Sequence, residues 1–366
     1  MAQKKILVLT GGGDCPGLNA VIRGLYKAIL HDGEYELWGS IEAFNGVLCD
    51  PVNIIQLHSE NTGGIHVKGG TILKTTNRGN PLDFPIKLPD GSWTTKDRSQ
   101  ELVDKIKQHG FTAVVNIGGD GSQKISQRLY ELGCPIIGVP KTIDNDLSAT
   151  DLTFGFSTAV QIASDSFDKL VTTAESHHRV IIMEVMGRDA GWIALHTAIA
   201  GGAEICIIPE IPYDVNIILK ALEKRYESGK GFANIVIAEG AKEVNGNVIG
   251  ESSSDAGDAH IKFSGVANHL RFRLEELQDF AQVRTTILGH TQRGGTPIAF
   301  DRILATSMGV KAYDMVKANQ FGNMVAYKNH QLETVSLQEA TSTYNFVDQN
   351  HYLVDIAQKM GVSFGD

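Results

Sequence analysis

Short apolar runs punctuate the chain at Ile6–Leu9, Ala113–Ile117, Pro135–Val139, Val180–Val185, Ile205–Ile208, Ile235–Ala238 and Thr285–Leu288. They are rich in Val and Ile and do not alternate with polar residues. That is the pattern of strands buried on both faces of a parallel sheet. Amphipathic stretches between them, such as Arg98–Gln108 and Asn216–Glu227, predict helical crossovers. The fold class is therefore α/β, doubly wound. A length of 366 residues points to two lobes, because a domain usually holds about 100–200 residues.

The ends of these runs are polar and rich in glycine. The first ends in Thr10-Gly11-Gly12-Gly13-Asp14, the second in Gly118-Gly119-Asp120-Gly121-Ser122 and the third in Pro140-Lys141-Thr142-Ile143-Asp144-Asn145-Asp146. Later runs end in Met186-Gly187-Arg188, Pro209-Glu210, Glu239-Gly240 and Gly289-His290-Thr291-Gln292-Arg293-Gly294-Gly295. Ligands of open α/β sheets bind outside the carboxyl ends of the strands, so these endings predict a cleft. The polar stretch Asn80–Lys96 reads as a surface excursion.

Composition narrows the partners. A net charge of −9, with no long run of Lys or Arg, argues against nucleic acid. No apolar run approaches the roughly 20 residues that span a bilayer, and the first residues have no signal-peptide architecture. Cys15, Cys49, Cys134 and Cys206 are widely spaced, which suggests neither a disulfide framework nor a zinc site. The expected compartment is the cytoplasm. Any anionic substrate must then be held by a few local cations.

Each motif admits a plain and a chemical reading. Gly11–Gly13, between a strand and a helix from Leu18 to about Leu30, is either a tight turn or a phosphate cradle. Gly118–Ser122 lets backbone approach a polyphosphate, with Asp120 placed to hold magnesium and Ser122 to cap the next helix. NAD kinases and lipid kinases carry similar loops, so this motif alone leaves the family open. In Thr142–Asp146 two carboxylates can divide the work: Asp144 takes a proton from an attacking hydroxyl and Asp146 helps to hold the metal. Arg179, Arg188, Arg284, His290 and Arg293 adjoin apolar runs, and the Arg fork suits phosphate. Glu239 can accept sugar hydroxyls or cap a turn, and His177 and His178 read as structural.

Together, Leu9–Asn19, Gly69–Leu73, Ile117–Ser122, Thr142–Asp146, Arg179, Glu184–Arg188, Ala200–Glu204, Pro209-Glu210, Leu288–Gly295 and Asp301–Ala305 resemble the 6-phosphofructokinase family, phosphofructokinase A type. The resemblance covers roughly residues 1–330. It implies two Rossmann-like lobes with the active site in the cleft between them. Their expected extents are 1–155 plus about 292–335 for the nucleotide, and 156–291 for fructose 6-phosphate, with an extension over about 336–366 that has no assigned role.

By the same resemblance Asp144 is the base acting on the 1-hydroxyl of fructose 6-phosphate, with Arg188 as its catalytic companion, in a glycolytic kinase. Asp120 and Asp146 would hold Mg2+. Gly13, Asn77, Arg78, Gly119, Asp120, Gly121 and Ser122 would contact the nucleotide. Thr142, Met186, Gly187, Arg188, Glu239, His290 and Arg293 would bind the sugar phosphate. Arg179 and Arg284 match arginines that reach in from a neighbouring subunit, which implies a homotetramer, or at least a dimer, with a shared active site. Asn77 and Lys74 depart from the ATP-dependent bacterial pattern. Gly121 resembles the ATP-dependent branch and Lys141 the pyrophosphate-dependent one. ATP is the expected donor, with pyrophosphate or ADP as alternatives. The more distant alternatives are an NAD-kinase-like enzyme and a non-catalytic sugar-phosphate sensor. Arg23 and Lys27 resemble basic residues of an allosteric effector site, whereas Val171 stands where bacterial members place an Arg.

Overall fold

The computed structural model describes residues 3–244, 246–252, 261–263 and 265–366. The apolar runs form strands β1 (Lys4–Gly11), β2 (Tyr35–Ser40), β3 (Ile54–Leu57), β4 (Phe111–Gly118), β5 (Ile136–Thr142) and β6 (Phe154–Gly155). The chain continues with β7 (Arg179–Val185), β8 (Ile205–Ile207), β9 (Ala233–Ala238), β10 (Gln282–Ile287), β11 (Asn323–Lys328) and β12 (Gln331–Ser336). The helices that matter for the site are α1 (Leu18–Asp32), α2 (Asp120–Glu131), α3 (Trp192–Gly201), α4 (Ala299–Lys317) and α5 (Tyr352–Lys359).

The described residues fall into two compact units. The first comprises Met1–Ser157 and Arg293–Tyr344, and the second Thr158–Ser253, His260–Gln292 and Asn345–Asp366. In the first, the sheet order is β12-β11-β5-β4-β1-β2-β3, with β6 beside β5. The central pairs β2/β1, β1/β4, β4/β5 and β5/β11 are parallel, and the margins β2/β3 and β11/β12 are antiparallel. Leu7, Leu9, Val114 and Ile136 pack with Leu102, Val103 and Ile106 of the helix Ser99–Gln108. The apolar positions of that helix recur every three or four residues, so one stripe faces the sheet.

The second unit has the all-parallel order β8-β9-β7-β10. Val180, Ile182, Ile205, Ile207, Ile235 and Ile237 are all buried, together with Ile218 and Leu222 of the helix Val215–Glu227. The predicted runs are thus all strands. The others are β2, β3, β11 and β12, which mix polar and apolar residues or lie at a sheet margin where the alternation signal is weak, and β6, which is only two residues long. The excursion at 80–96 contains a short antiparallel hairpin, Phe84–Lys87 with Trp93–Lys96.

The stretch expected as one C-terminal extension is divided. Residues up to Tyr344 belong to the first unit, and Asn345–Asp366 belong to the second. There Ser363 pairs in parallel with Ile205 at the sheet edge, and Phe364 is 1% exposed. The end of the chain is therefore part of a core.

Candidate active site

Three strand ends meet in the first unit. Gly11 and Gly118 are register partners across β1 and β4, and Gly118 is partnered with Pro140 across β4 and β5. The glycine turn after β1 is tied to the segment 74–78. Gly12 N donates to Thr76 O at 3.3 Å, the Thr75 hydroxyl donates to Gly12 O, and the Thr10 hydroxyl donates to Lys74 O at 2.7 Å. These bonds carry the exposed Asn77 and Arg78 to the turn. The buried Lys141 ammonium donates to Gly13 O. Arg293 Nη1 donates to Asp14 O at 3.3 Å and would lie 2.9 Å from a Cβ at Gly13. Glycine at that position makes room for the guanidinium.

In the Gly118–Ser122 loop, glycine answers partly to a neighbour. A Cβ at Gly118 would stand 2.2 Å from the Ser122 Cβ, and one at Gly11 would stand 2.7 Å from Ser122 Oγ. Ser122 does not cap α2. The helix begins at Asp120 with Gly119 as its N-cap and no side-chain cap bond. Gly121 is different, because a Cβ there meets nothing within 4 Å. Space and the backbone N–H groups of a helix start are what a phosphate requires. Asp120 Oδ2 accepts from Lys124 Nζ and from the Tyr344 hydroxyl, each at 2.8 Å.

After β5 the chain makes a rigid bend. Asp144, 3% exposed, donates its N–H to Thr142 Oγ1 at 3.0 Å. Asn145 takes a left-handed φ of 53°, a conformation Asn tolerates better than most residues. Its side chain accepts from Thr153 N at 3.0 Å, and the Thr153 hydroxyl donates to Thr142 O at 2.8 Å. Asp146 is half-buried, and the next residue, Leu147, bridges antiparallel to Tyr344. Tyr344 therefore meets both Asp120 and Leu147, the residue that follows the Asp144–Asp146 bend.

In the second unit Met186, Gly187 and Arg188 follow β7, Glu239 follows β9 and His290 follows β10. All five lie at the carboxyl edge of one parallel sheet. Met186 N donates to the buried Gln292 Oε1 at 2.8 Å. Arg188, with a φ of 52°, donates its N–H to Glu239 Oε1 at 3.1 Å. Gly240 is required here, since a Cβ would fall 1.9 Å from Arg188 O. Glu210 buttresses the far end of the loop by accepting from Gly191 N at 2.9 Å and Val347 N at 2.8 Å. Burial pushes its carboxyl above the usual range, against the pull of those N–H groups.

Not every predicted site residue joins these groups. Arg179 opens β7, and Arg284 lies opposite Ile181. A strand rises about 3.3 Å per residue, so Arg179 lies roughly 20 Å from Arg188 at the opposite edge of the sheet. Arg179 Nε is buried with no hydrogen-bond partner among the described residues. Arg23 and Lys27 are one turn apart on α1, and Val171 lies in the helix Phe156–His177. Gln292, Thr75 and Tyr344 went unread in the sequence. Lys124 was legible, four residues after Asp120 on a helix.

The donor set suits a hard cation. Asp120, in the glycine loop, and Asp146, in the bend after β5, are the two carboxylates that the sequence assigns to a metal. Among the described residues, no cluster of three or more His, Cys, Asp or Glu could hold a metal alone. Magnesium does not need one, because it is commonly bound by one or two carboxylates plus substrate phosphates.

The family described as Phosphofructokinase matches residues 5–316. The chain is 45% identical over 363 residues to ATP-dependent 6-phosphofructokinase 2 of Clostridium perfringens, covering 99% of each chain. It is 40% identical over 364 residues to ATP-dependent 6-phosphofructokinase 1 of Synechocystis, again covering 99% of each. Its fold is similar to the structure of phosphofructokinase from Saccharomyces cerevisiae, with a TM-score of 0.77 and 27% identity. That match covers 98% of this chain and 47% of the yeast chain, so this chain spans about half its length.

Proposed function

Because this chain belongs to the phosphofructokinase family, we propose that it transfers the terminal phosphoryl group of ATP to the 1-hydroxyl of fructose 6-phosphate. The observation that carries this reading is the buried Asp144, its backbone N–H tied to Thr142 Oγ1, three residues after the Lys141 that donates to Gly13 O. A buried cation lies near the end of β5 and a buried carboxylate just after it.

Asp144 accepts the proton of the attacking 1-hydroxyl, and its rigid bend keeps it oriented before substrate arrives. Lys141 and Arg293 place positive charge at the glycine turn, where charge on the transferred phosphoryl is stabilised. Asn77, Arg78, Gly119, Gly121 and Ser122 line the donor. Asp120 and Asp146 would hold magnesium, which neutralises phosphate charge when bound. In the second unit, Arg188 and His290 favour the sugar phosphate while Glu239 accepts sugar hydroxyls. ATP is favoured over pyrophosphate and ADP by the open space at Gly121 and by the relatives' identity as ATP-dependent enzymes. Arg179, at the far edge of its sheet, and Arg284, two residues into β10, serve the site of a neighbouring copy in a homotetramer. Among the described residues no helix is long and apolar enough to cross a membrane, and the reading places the reaction in the cytoplasm.

Initial rates with fructose 6-phosphate and magnesium, offering ATP, ADP and pyrophosphate separately, test the donor. Turnover with pyrophosphate alone would overturn ATP. Asp144→Ala is expected to lower kcat by about two to four orders of magnitude while fructose 6-phosphate binding survives. Near-normal turnover in that variant would remove Asp144 as the base.

A further inference from the structure

The C-terminal extension reaches the loop that carries Asp120. The Tyr344 hydroxyl donates to Asp120 Oδ2 at 2.8 Å, and Lys124 Nζ donates to the same oxygen at 2.8 Å. The ammonium also lies 5.1 Å from the centre of the Tyr344 ring, within the range of a cation–π attraction. Phenol, ammonium and carboxylate therefore form a closed triangle in which every pair is in contact. The Asp120 side chain is 14% exposed and that of Lys124 49% exposed. The Tyr344 backbone is tied down by its bridge to Leu147. The Ser148 hydroxyl adds bonds to Glu339 O at 3.3 Å and Ala340 O at 3.2 Å.

The consequence is directional. A carboxylate at the first position of a helix can turn about its side-chain bonds, and a metal that engages it must stop that rotation. Here both donors take Oδ2, and Oδ1 accepts from no described residue. The carboxylate is fixed with one oxygen occupied and the other available. Lys124 alone would do this poorly, because its flexible, half-exposed stem can follow the carboxylate as it turns. Tyr344, although 44% exposed, has only two side-chain rotations and a backbone bridged to Leu147, so it follows less readily.

We propose that Tyr344 is a positioning residue for the donor site, orienting the Asp120 carboxylate toward the metal of a magnesium-bound nucleotide. The proposal rests on the reading of Asp120 as a magnesium ligand. It gives the extension a role in the reaction that the sequence motifs do not contain.

Calorimetric titration tests it without turnover. A non-hydrolysable ATP analogue would be titrated into the wild type, Tyr344→Phe and Asp120→Ala, once with magnesium and once with a chelator. Tyr344→Phe keeps the ring for Lys124 and removes only the hydroxyl. Its affinity for the magnesium–nucleotide complex is expected to fall roughly fivefold, the worth of one such hydrogen bond. Its affinities for metal-free nucleotide and for fructose 6-phosphate should stay unchanged. Asp120→Ala should lose the magnesium-dependent gain altogether. If Asp120→Ala loses that gain while Tyr344→Phe binds as tightly as the wild type or tighter, the role of Tyr344 is overturned and the donor site stands. Equal weakening of Tyr344→Phe with and without magnesium would make Tyr344 merely structural and also overturn the proposal. If Asp120→Ala keeps the full gain, both readings fall.

Discussion

Glycine has at least two different meanings within a few residues of this chain. At Gly118 the absent side chain is replaced by Ser122, and at Gly13 by the guanidinium of Arg293; at Gly121 nothing fills the space. The first two positions answer to protein neighbours, and only the third leaves room for a ligand group. Gly121→Asp therefore separates stability from function. An added carboxylate in the first turn of α2 is favourable for the helix, so thermal stability should hold. The same charge would face the inner phosphates of ATP, and KM for ATP should rise about tenfold or more with KM for fructose 6-phosphate unchanged. Steady-state kinetics beside a melting curve checks both halves, and an unaltered KM for ATP would show that the donor does not use this space.

Between elements, the tail of the chain is fastened to α3 through aromatic groups. Trp192 Nε1 donates to Asn345 O at 2.7 Å, and the His351 ring meets the Trp192 ring edge-on at 5.0 Å. His351 also caps α5, its Nδ1 accepting from Leu353 N at 3.3 Å. Burial holds His351 and His196 below the ordinary imidazole range. The folded state thus binds fewer protons than the unfolded chain just below the unfolded value of 6.5. Their contribution to stability is full above that value and is lost as pH falls through and below it. The melting temperature should therefore drop between about pH 7.5 and about pH 5.5. The drop should be smaller in His351→Asn, which keeps a capping acceptor without a titrating group. Equal drops in the two proteins would remove His351 from the account.

At the level of the whole molecule, the two ends of the second unit's sheet carry different duties. The carboxyl edge holds Met186, Arg188, Glu239 and His290, the amino edge holds Arg179, and Arg284 sits two residues into β10 opposite Ile181. Arg179 and Arg188, roughly 20 Å apart, cannot grip one phosphate. If Arg179 completes the site of another copy, two inactive variants should repair one another. Coexpressed Asp144→Ala and Arg179→Ala chains would form hybrids with one wholly native site in each exchanging pair. Random pairing predicts about a quarter of wild-type activity, measured after coexpression against each variant alone. No recovery from oligomers confirmed to be mixed would contradict the shared site. The edge strand β10 leaves Ile287 45% exposed, and such an edge is suited to being covered by a neighbour.

Much of this was legible before any coordinates. Unbroken Val and Ile runs mark strands buried on both faces, and the strand residues of six of the seven runs are so buried. The seventh, Thr285–Leu288, falls on the edge strand β10, where Ile287 is 45% exposed. The motifs at their ends are contiguous in sequence, so Asp144, Asp146 and the Gly118–Ser122 loop could be found locally. Even the separation of Arg179 from Arg188 was implicit, since one precedes its apolar run and the other follows it. What the chain order could not reveal is which distant segments share a neighbourhood. Arg293 at Gly13, Gln292 at Met186 and Tyr344 at Asp120 are separated by more than a hundred residues, and each contact exists only because packed sheets and helices return the chain to that place. Strand identity is set by local burial demands, which residue type records; side-chain partnership is set by where the packed elements end, which only the assembled fold decides.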